Sequence, residues 1–448
     1  MHQESEMTQS GRKFAGIPIP PDLKWSHFLN LYLATWLISC LMAVPAVLQP
    51  AFLKEVINIP REQAGSINSG LQNMSQIATL LFIGLIGVLS DKVGRKILTV
   101  LGFLVCGIFF ILFGYAKDIS LALGITSIGG QIVVTYIIRF IIGIGIILSF
   151  PQTITMVADY IAPRNRGKGM ALHGLMMSVG SIMVFGVMVQ VARKTGLMSL
   201  FYMSGAVGFL GVISSRWGLV DRMPKEKAKR LGIKEIYRVV SKSVALRVSY
   251  VATLIARADI VVLSVFLIVW MVYVAEKFGM DPVKATARGG ITLLVMSLAC
   301  LISYPVIGIL LDRWGRIQIV LLGLLMSGVG LCIMAATQNP FTPGMFLYVS
   351  LVGIGFSAAN VGANTLAADS SPMPLLGSIL GGLNTMQPIG ILFFLQLGGL
   401  LLDQVGYWTP FALKGLASLI CFLYILSVRK GIVVQKHEGM PPHGMPNK

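Results

Sequence analysis

The stretch Gly87-Val-Leu-Ser-Asp91-Lys-Val-Gly94-Arg95-Lys96 closes one long apolar run, and Gly308-Ile-Leu-Leu-Asp312-Arg-Trp-Gly315-Arg316 closes another 221 residues later. A Gly-x-x-x-Asp-x-x-Gly-Arg phrase that returns about half a chain further on signals an internal duplication. Its position at the end of apolar segments implies two parallel-related helical bundles with a short polar turn in each. The rest of the sequence supports that reading.

The chain has 448 residues, 55% hydrophobic and only 12% charged, with a mean hydropathy of +0.80. Soluble domains carry about 25% charged residues, so this chain lacks the polar shell a soluble fold needs. Apolar runs long enough to cross a ~30 Å hydrocarbon layer are read at 27–52, 65–89, 97–116, 131–158, 169–191, 198–218, 247–274, 289–311, 317–336, 345–368, 375–401 and 409–428. The expected fold class is an all-α membrane protein of twelve transmembrane helices in two six-helix bundles. With both termini placed in the cytoplasm, cytoplasmic segments take 25 Lys and Arg and external loops 8. That bias follows the positive-inside rule. The net charge of +18 is thereby a topology signal, and a nucleic-acid partner is not expected.

The domain reading is a cytoplasmic segment 1–26, a first bundle 27–218, an amphipathic cytoplasmic linker 219–246, a second bundle 247–428 and a cytoplasmic tail 429–448. Residues 1–26 hold no apolar core ahead of a cleavage site, so no cleaved signal peptide is expected, and the first span is the targeting element. In the linker, Ile233, Ile236, Tyr237, Val240 and Val244 recur at helical spacing, as in a helix lying on the inner leaflet. A second pair of echoes, Gly143-Ile-Gly145 with Asp159 and Gly353-Ile-Gly355 with Asp369, is offset by 210 residues. The shorter offset places about eleven extra residues, near Ser120–Gly130, between the third and fourth spans. The five cysteines lie inside apolar stretches without CxxC spacing, so neither a disulfide framework nor a metal site is implied. No phosphate-loop or zinc-protease motif occurs, and no cofactor is expected.

These repeated loops, together with Arg139-x-x-x-Gly143-x-Gly145 and Pro163-Arg-Asn-Arg166-Gly167, resemble the major facilitator superfamily over residues 25–430 or so. The resemblance implies a secondary transporter working by alternating access as a single chain in the inner (plasma) membrane. It also implies a conformational latch of Gly87, Asp91, Gly94, Arg95, Asp159, Arg166, Asp312 and Arg316. Asp91 is placed to face a helix N-terminus, the glycines admit close backbones, and Arg95 reaches Asp159. In the second copy Ile317 replaces Lys96, and Ser370-Ser-Pro-Met-Pro374 lacks arginine, so a weaker latch is expected there.

Three cations, Arg139, Arg257 and Lys414, fall within spans. An uncompensated ion at that depth costs roughly 2.5–3.5 kcal/mol on insertion scales. Asp259 lies twelve residues past Arg247, about 18 Å into the seventh span. Arg257 is about 200° around the helix from it and needs another partner. Arg139 is a candidate counter-ion for Asp259, the depth of the two being unequal. Asn360 and Asn364 on the tenth span, and Asn384 and Gln387 on the eleventh, are amides spaced to bind a polar solute or to join helices. His173 reads as an interfacial, solvated side chain.

Asp259, Arg257, Arg139 and the four amides thus form the expected substrate and coupling set, with a proton as the candidate coupling ion. Two arginines against one aspartate favour an anionic or zwitterionic small organic solute. Two alternatives stay open: a drug/proton antiporter, which the resemblance disfavours because members of that kind often carry a Gly-Pro pair where Ser178-Val-Gly180-Ser-Ile-Met-Val-Phe-Gly186 has no proline, and a non-transporting sensor or assembly factor. An enzyme is not expected, for want of a nucleophile–base constellation.

Overall fold

The computed structural model describes residues 12–162, 165–222, 233–372 and 375–429; the side chains of 166, 167, 233, 312, 376 and 377 are outside that description. Among the described residues twelve helices are long and apolar enough to cross a membrane: Trp25–Ile57, Arg61–Val93, Arg95–Gly114, Ile128–Tyr160, Lys168–Thr195, Met198–Gly218, Val244–Phe278, Pro282–Leu311, Arg316–Ala336, Gly344–Asp369, Ser378–Gln404 and Thr409–Val428. They are named here the first to twelfth spans. Helices are the natural outcome, because an apolar medium offers no partner for a free backbone N–H or C=O. An even number of spans puts Trp25 and Val428 on one face, called proximal; the opposite face is distal.

The duplication read from the sequence is repeated in the packing. Gly94 and Gly315 each end a helix and start the next within one residue, at φ of +105° and +92°, a conformation glycine adopts without a Cβ penalty. The third and fourth spans touch where a Cβ on Gly102 would lie 2.5 Å from the Gly145 carbonyl oxygen, and the ninth and tenth where one on Gly355 would lie 2.4 Å from the Ser327 nitrogen. Small residues let these backbones meet, which is how apolar helices gain contact in lipid.

The two halves meet along a seam formed by the second and eleventh spans on one side and the fifth and eighth on the other. Close approach is confined to its distal part: a Cβ on Gly65 would lie 2.4 Å from the Gly399 oxygen, and one on Gly290 3.0 Å from the Phe185 oxygen. In the proximal part of the same four spans, Gly84, Gly174, Gly308 and Gly381 have open space around them. The backbone approach expected of the first glycine of the repeated loop is therefore not made at Gly308 in this conformation.

Outside the spans, Lys13–Phe14 and Ile17–Pro18 form a small antiparallel hairpin. Ile17, Ile19 and Leu23 bury themselves against Phe28, Tyr32, Met156, Tyr160 and Leu219 at the proximal end of the first half. The linker helix spans Ile233–Lys242. Its residues Ile236, Val239 and Val240 pack on Leu246, Ile379 and Leu383 of the second half, while Tyr237 is 74% exposed. A short helix, Ala116–Ala122, runs into the start of the stretch Ser120–Gly130 expected as an insertion between the third and fourth spans.

Candidate substrate pathway and latch

The latch residues come together within each half. Arg95, 5% exposed, forms an ion pair with Asp159 at the proximal end of the fourth span and lies 4.0 Å from Asp91. In the second half Arg316 Nε donates to Asp369 Oδ2 at 2.8 Å, and its Nη1 donates to the Leu311 carbonyl at 3.0 Å. The second copy thus forms the corresponding pair although its loop lacks the extra arginine, but in a more exposed setting than the buried Arg95–Asp159 pair. Gly87 lies half-buried beside Asp91 on the second span. Gly94 supplies the turn; a Cβ there would also sit 2.5 Å from Asp221 Oδ2. The side chains of Arg166 and Asp312 are outside the described residues.

Asp221, not singled out from the sequence, accepts from the Lys96 amide at 2.9 Å and so caps the third span from beyond the end of the sixth. Its neighbour Arg222 pairs with Asp22 at 3.1 Å and donates to the Asp159 carbonyl at 3.1 Å. The docked N-terminal segment is thereby tied to the same proximal cluster. No local motif marks this cluster, because its partners are 63 to 200 residues apart.

In the membrane interior the expected Asp259–Arg139 pairing is not formed. Asp259 pairs with Lys414 of the twelfth span, both fully buried. Lys414 also donates to Ser418 Oγ at 2.9 Å and sits 5.0 Å from the Phe394 ring centre. The pair lies inside the second half, between the seventh and twelfth spans, with Phe394 of the eleventh beside it. The 200° separation already required Arg257 and Asp259 to face different ways. What pattern reasoning missed is that the lone lysine of the twelfth span needed an acid, and Asp259 is the buried one.

Arg257 is half-buried, with its guanidinium 5.5 Å from the Phe356 ring centre on the tenth span. None of the ion pairs among the described residues involves it. Arg139 is 2% exposed. Its Nη2 donates to Gln72 Oε1 at 3.2 Å, while Nε and Nη1 have no acceptor and Gln49 Nε2 is similarly unmatched. Arg139 and Gln49 line one small void between the first, third and fourth spans. Asn364 Nδ2 donates to the Asn360 carbonyl at 2.7 Å, and Gln387 Nε2 to Asn384 Oδ1 at 2.8 Å; Asn384 is exposed and Gln387 half-buried. His173 is buried, not solvated, and shares a hydrogen bond of 3.1 Å with Thr153. Beside the distal seam a cleft of about 620 Å³ is lined by Asn73, Met74, Tyr136, Leu392, Phe393 and Gln396, among others. Its walls are mostly apolar.

Hydrogen bonds that join the halves cluster in the distal part. Lys54 Nζ meets Glu276 Oε1 at 2.7 Å, Tyr273 donates to the Ile59 carbonyl at 3.2 Å, and Gln190 to the Ala287 carbonyl at 2.8 Å. Asn73 reaches Gln396 at 3.3 Å, and Asp403 accepts from two amides of the second span.

Two duplicated six-span halves around a seam closed at one face are the architecture of a membrane transporter. The Major Facilitator Superfamily model matches residues 31–303 and 260–442. The chain belongs to that superfamily. It is 32% identical over 400 residues, 89% of this chain and 92% of the relative, to magnetosome protein MamH of Paramagnetospirillum magneticum. It is 27% identical to magnetosome protein MamZ of Magnetospirillum gryphiswaldense over 94% of this chain, a match spanning 65% of that longer relative. Among solved structures, a D-xylose–proton symporter superposes with a TM-score of 0.71 at 17% identity, covering 93% of this chain and 99% of that one. The nucleoside transporter NupG superposes at 0.65 and 14%, covering 90% and 99%. At these identities the superpositions speak for the fold.

Proposed function

We propose that this protein is a secondary transporter that moves a small organic anion by alternating access. The observation that carries the reading is Arg257: a half-buried cation inside a membrane span, stacked near Phe356, with no ion-pair partner among the described residues. A cation at that depth is costly unless something negative offsets it, and a transported carboxylate or phosphate supplies that charge. Asn360, Asn364, Asn384 and Gln387 offer neutral hydrogen-bonding groups to the same solute. Arg139 offers a second guanidinium in the first half. Asp259 we assign to bracing the seventh span against the twelfth through Lys414, so proton coupling, if it runs through this carboxylate, has to break that pair.

The lysine and arginine bias supports proximal as cytoplasmic. The structure then corresponds to the inward-open state, with the external face shut. Kinship with two magnetosome proteins supports a magnetosome membrane as the place of action in preference to the general inner membrane. The decisive test is a thermal-shift screen of small anions on the purified protein, followed by flux in proteoliposomes for each binder. A binder stabilises the folded state by mass action. The reading requires that at least one carboxylate or phosphate raise the melting temperature of the native protein, and that Arg257→Ala abolish the rise. Shifts only with cationic drugs would favour the antiporter reading instead.

A further inference from the structure

The α-helical part of the second span starts at Ala64 without a cap of its own: the side chain of its N-cap residue Gln63 makes no capping hydrogen bond. Its first free amides are satisfied from the other half of the molecule. Asp403, at the distal end of the eleventh span, accepts from Gly65 N through Oδ1 at 2.6 Å and from Ser66 N through Oδ2 at 2.8 Å. A carboxylate on a helix N-terminus combines two charge-assisted hydrogen bonds with the favourable end of the helix dipole. The approach depends on missing side chains, since a Cβ on Gly65 would meet the Gly399 oxygen at 2.4 Å and one on Gly399 would meet Ser69 Oγ at 2.3 Å.

The other distal contacts between the halves are weaker in kind. Glu276 of the Lys54 pair is 75% exposed and its attraction is screened by water. The fifth and eighth spans are joined by a neutral amide–carbonyl bond, Gln190 to Ala287. Asp403 is half-buried and uses both oxygens. When the halves part at this face, the carboxylate loses both donors and the second span loses its cap together.

We propose that Asp403 is the positioning residue that holds the distal gate shut, by capping the second span across the two halves of the molecule. Its place in a transport cycle rests on the carrier reading above; its effect on the gate does not. The test uses the full-length protein in detergent with Ser69→Cys, a near-isosteric change at a fully buried site of the seam, and a water-soluble maleimide. Labelling of the protein that keeps Ser69 gives the background. Asp403→Asn is expected to raise the labelling rate of the introduced thiol at least about threefold, the size of effect a lost helix cap produces. Asp403→Glu, which keeps the charge, should stay near the parent rate. Gly65→Ala, which wedges the same contact from the other half, should also raise it, and stands in as the test if Asp403→Asn does not fold. Unchanged labelling in Asp403→Asn and Gly65→Ala overturns the proposal. So does a rise in Asp403→Asn shared equally by Asp403→Glu, or a rise in Gly65→Ala alone, which would assign the seal to packing. A labelling rise in a protein that moves no anion would leave the gate standing and remove the carrier reading.

Discussion

Arg257 and Asp259 are two residues apart, yet they have opposite surroundings. Asp259 is enclosed with Lys414 and Ser418, whereas Arg257 has the Phe356 ring beside it and no ion-pair partner among the described residues. Removing one member of a buried ion pair strands the other, at a cost of about 3–5 kcal/mol, while replacing both with neutral groups is often nearly neutral. Asp259→Asn and Lys414→Met should therefore each lower the melting temperature in detergent, and the double variant should recover most of the loss. Additive losses would show that the two do not depend on one another. Arg257→Ala should leave melting of the ligand-free protein close to that of the parent and reduce anion flux at least about tenfold, equivalent to about 1.4 kcal/mol. An equal drop for Arg257→Lys would point to guanidinium geometry in addition to charge.

At the level of elements, the one-residue turns at Gly94 and Gly315 and the glycine contacts between adjacent spans set how each half is assembled. Gly94→Ala must hold φ near +105° with a methyl group, a strain of about 1–2 kcal/mol. It also crowds Asp221, which caps the third span. Lower thermal stability is expected, and it should be larger than for Gly84→Ala on the second span, which has open space around it; the two melting curves decide. The linker helix belongs to this scale too. Its apolar residues lie against the seventh and eleventh spans, a docking partner that helical periodicity reveals no more than it reveals a membrane surface.

For the whole molecule, the contrast between a tight distal seam and open proximal glycines is what the proposed carrier requires of one of its two states. A disulfide between cysteines placed at Asn73 and Gln396, whose side chains meet across the distal seam, would lock that face. Flux should fall to background on oxidation and return on reduction; flux that persists with the bridge formed would defeat alternating access about this seam. Localisation is the other test at this scale: a fluorescent fusion should concentrate with magnetosomes, and an even distribution in the cell envelope would contradict the proposed site of action.

The sequence alone was enough for the number of spans, the duplication and the meeting of Arg95 with Asp159. These follow from hydropathy over about 20 residues and from a repeated motif, both of which are local signals. It was also enough to show that Arg257 and Asp259 face apart, because helix geometry carries that directly. The tertiary structure decided who pairs with whom. Asp259 with Lys414 spans 155 residues, and Asp403 with Gly65 spans 338. Such partners are selected by how the helices rotate and slide against one another, which depends on packing summed over every contact and leaves no mark in either local sequence.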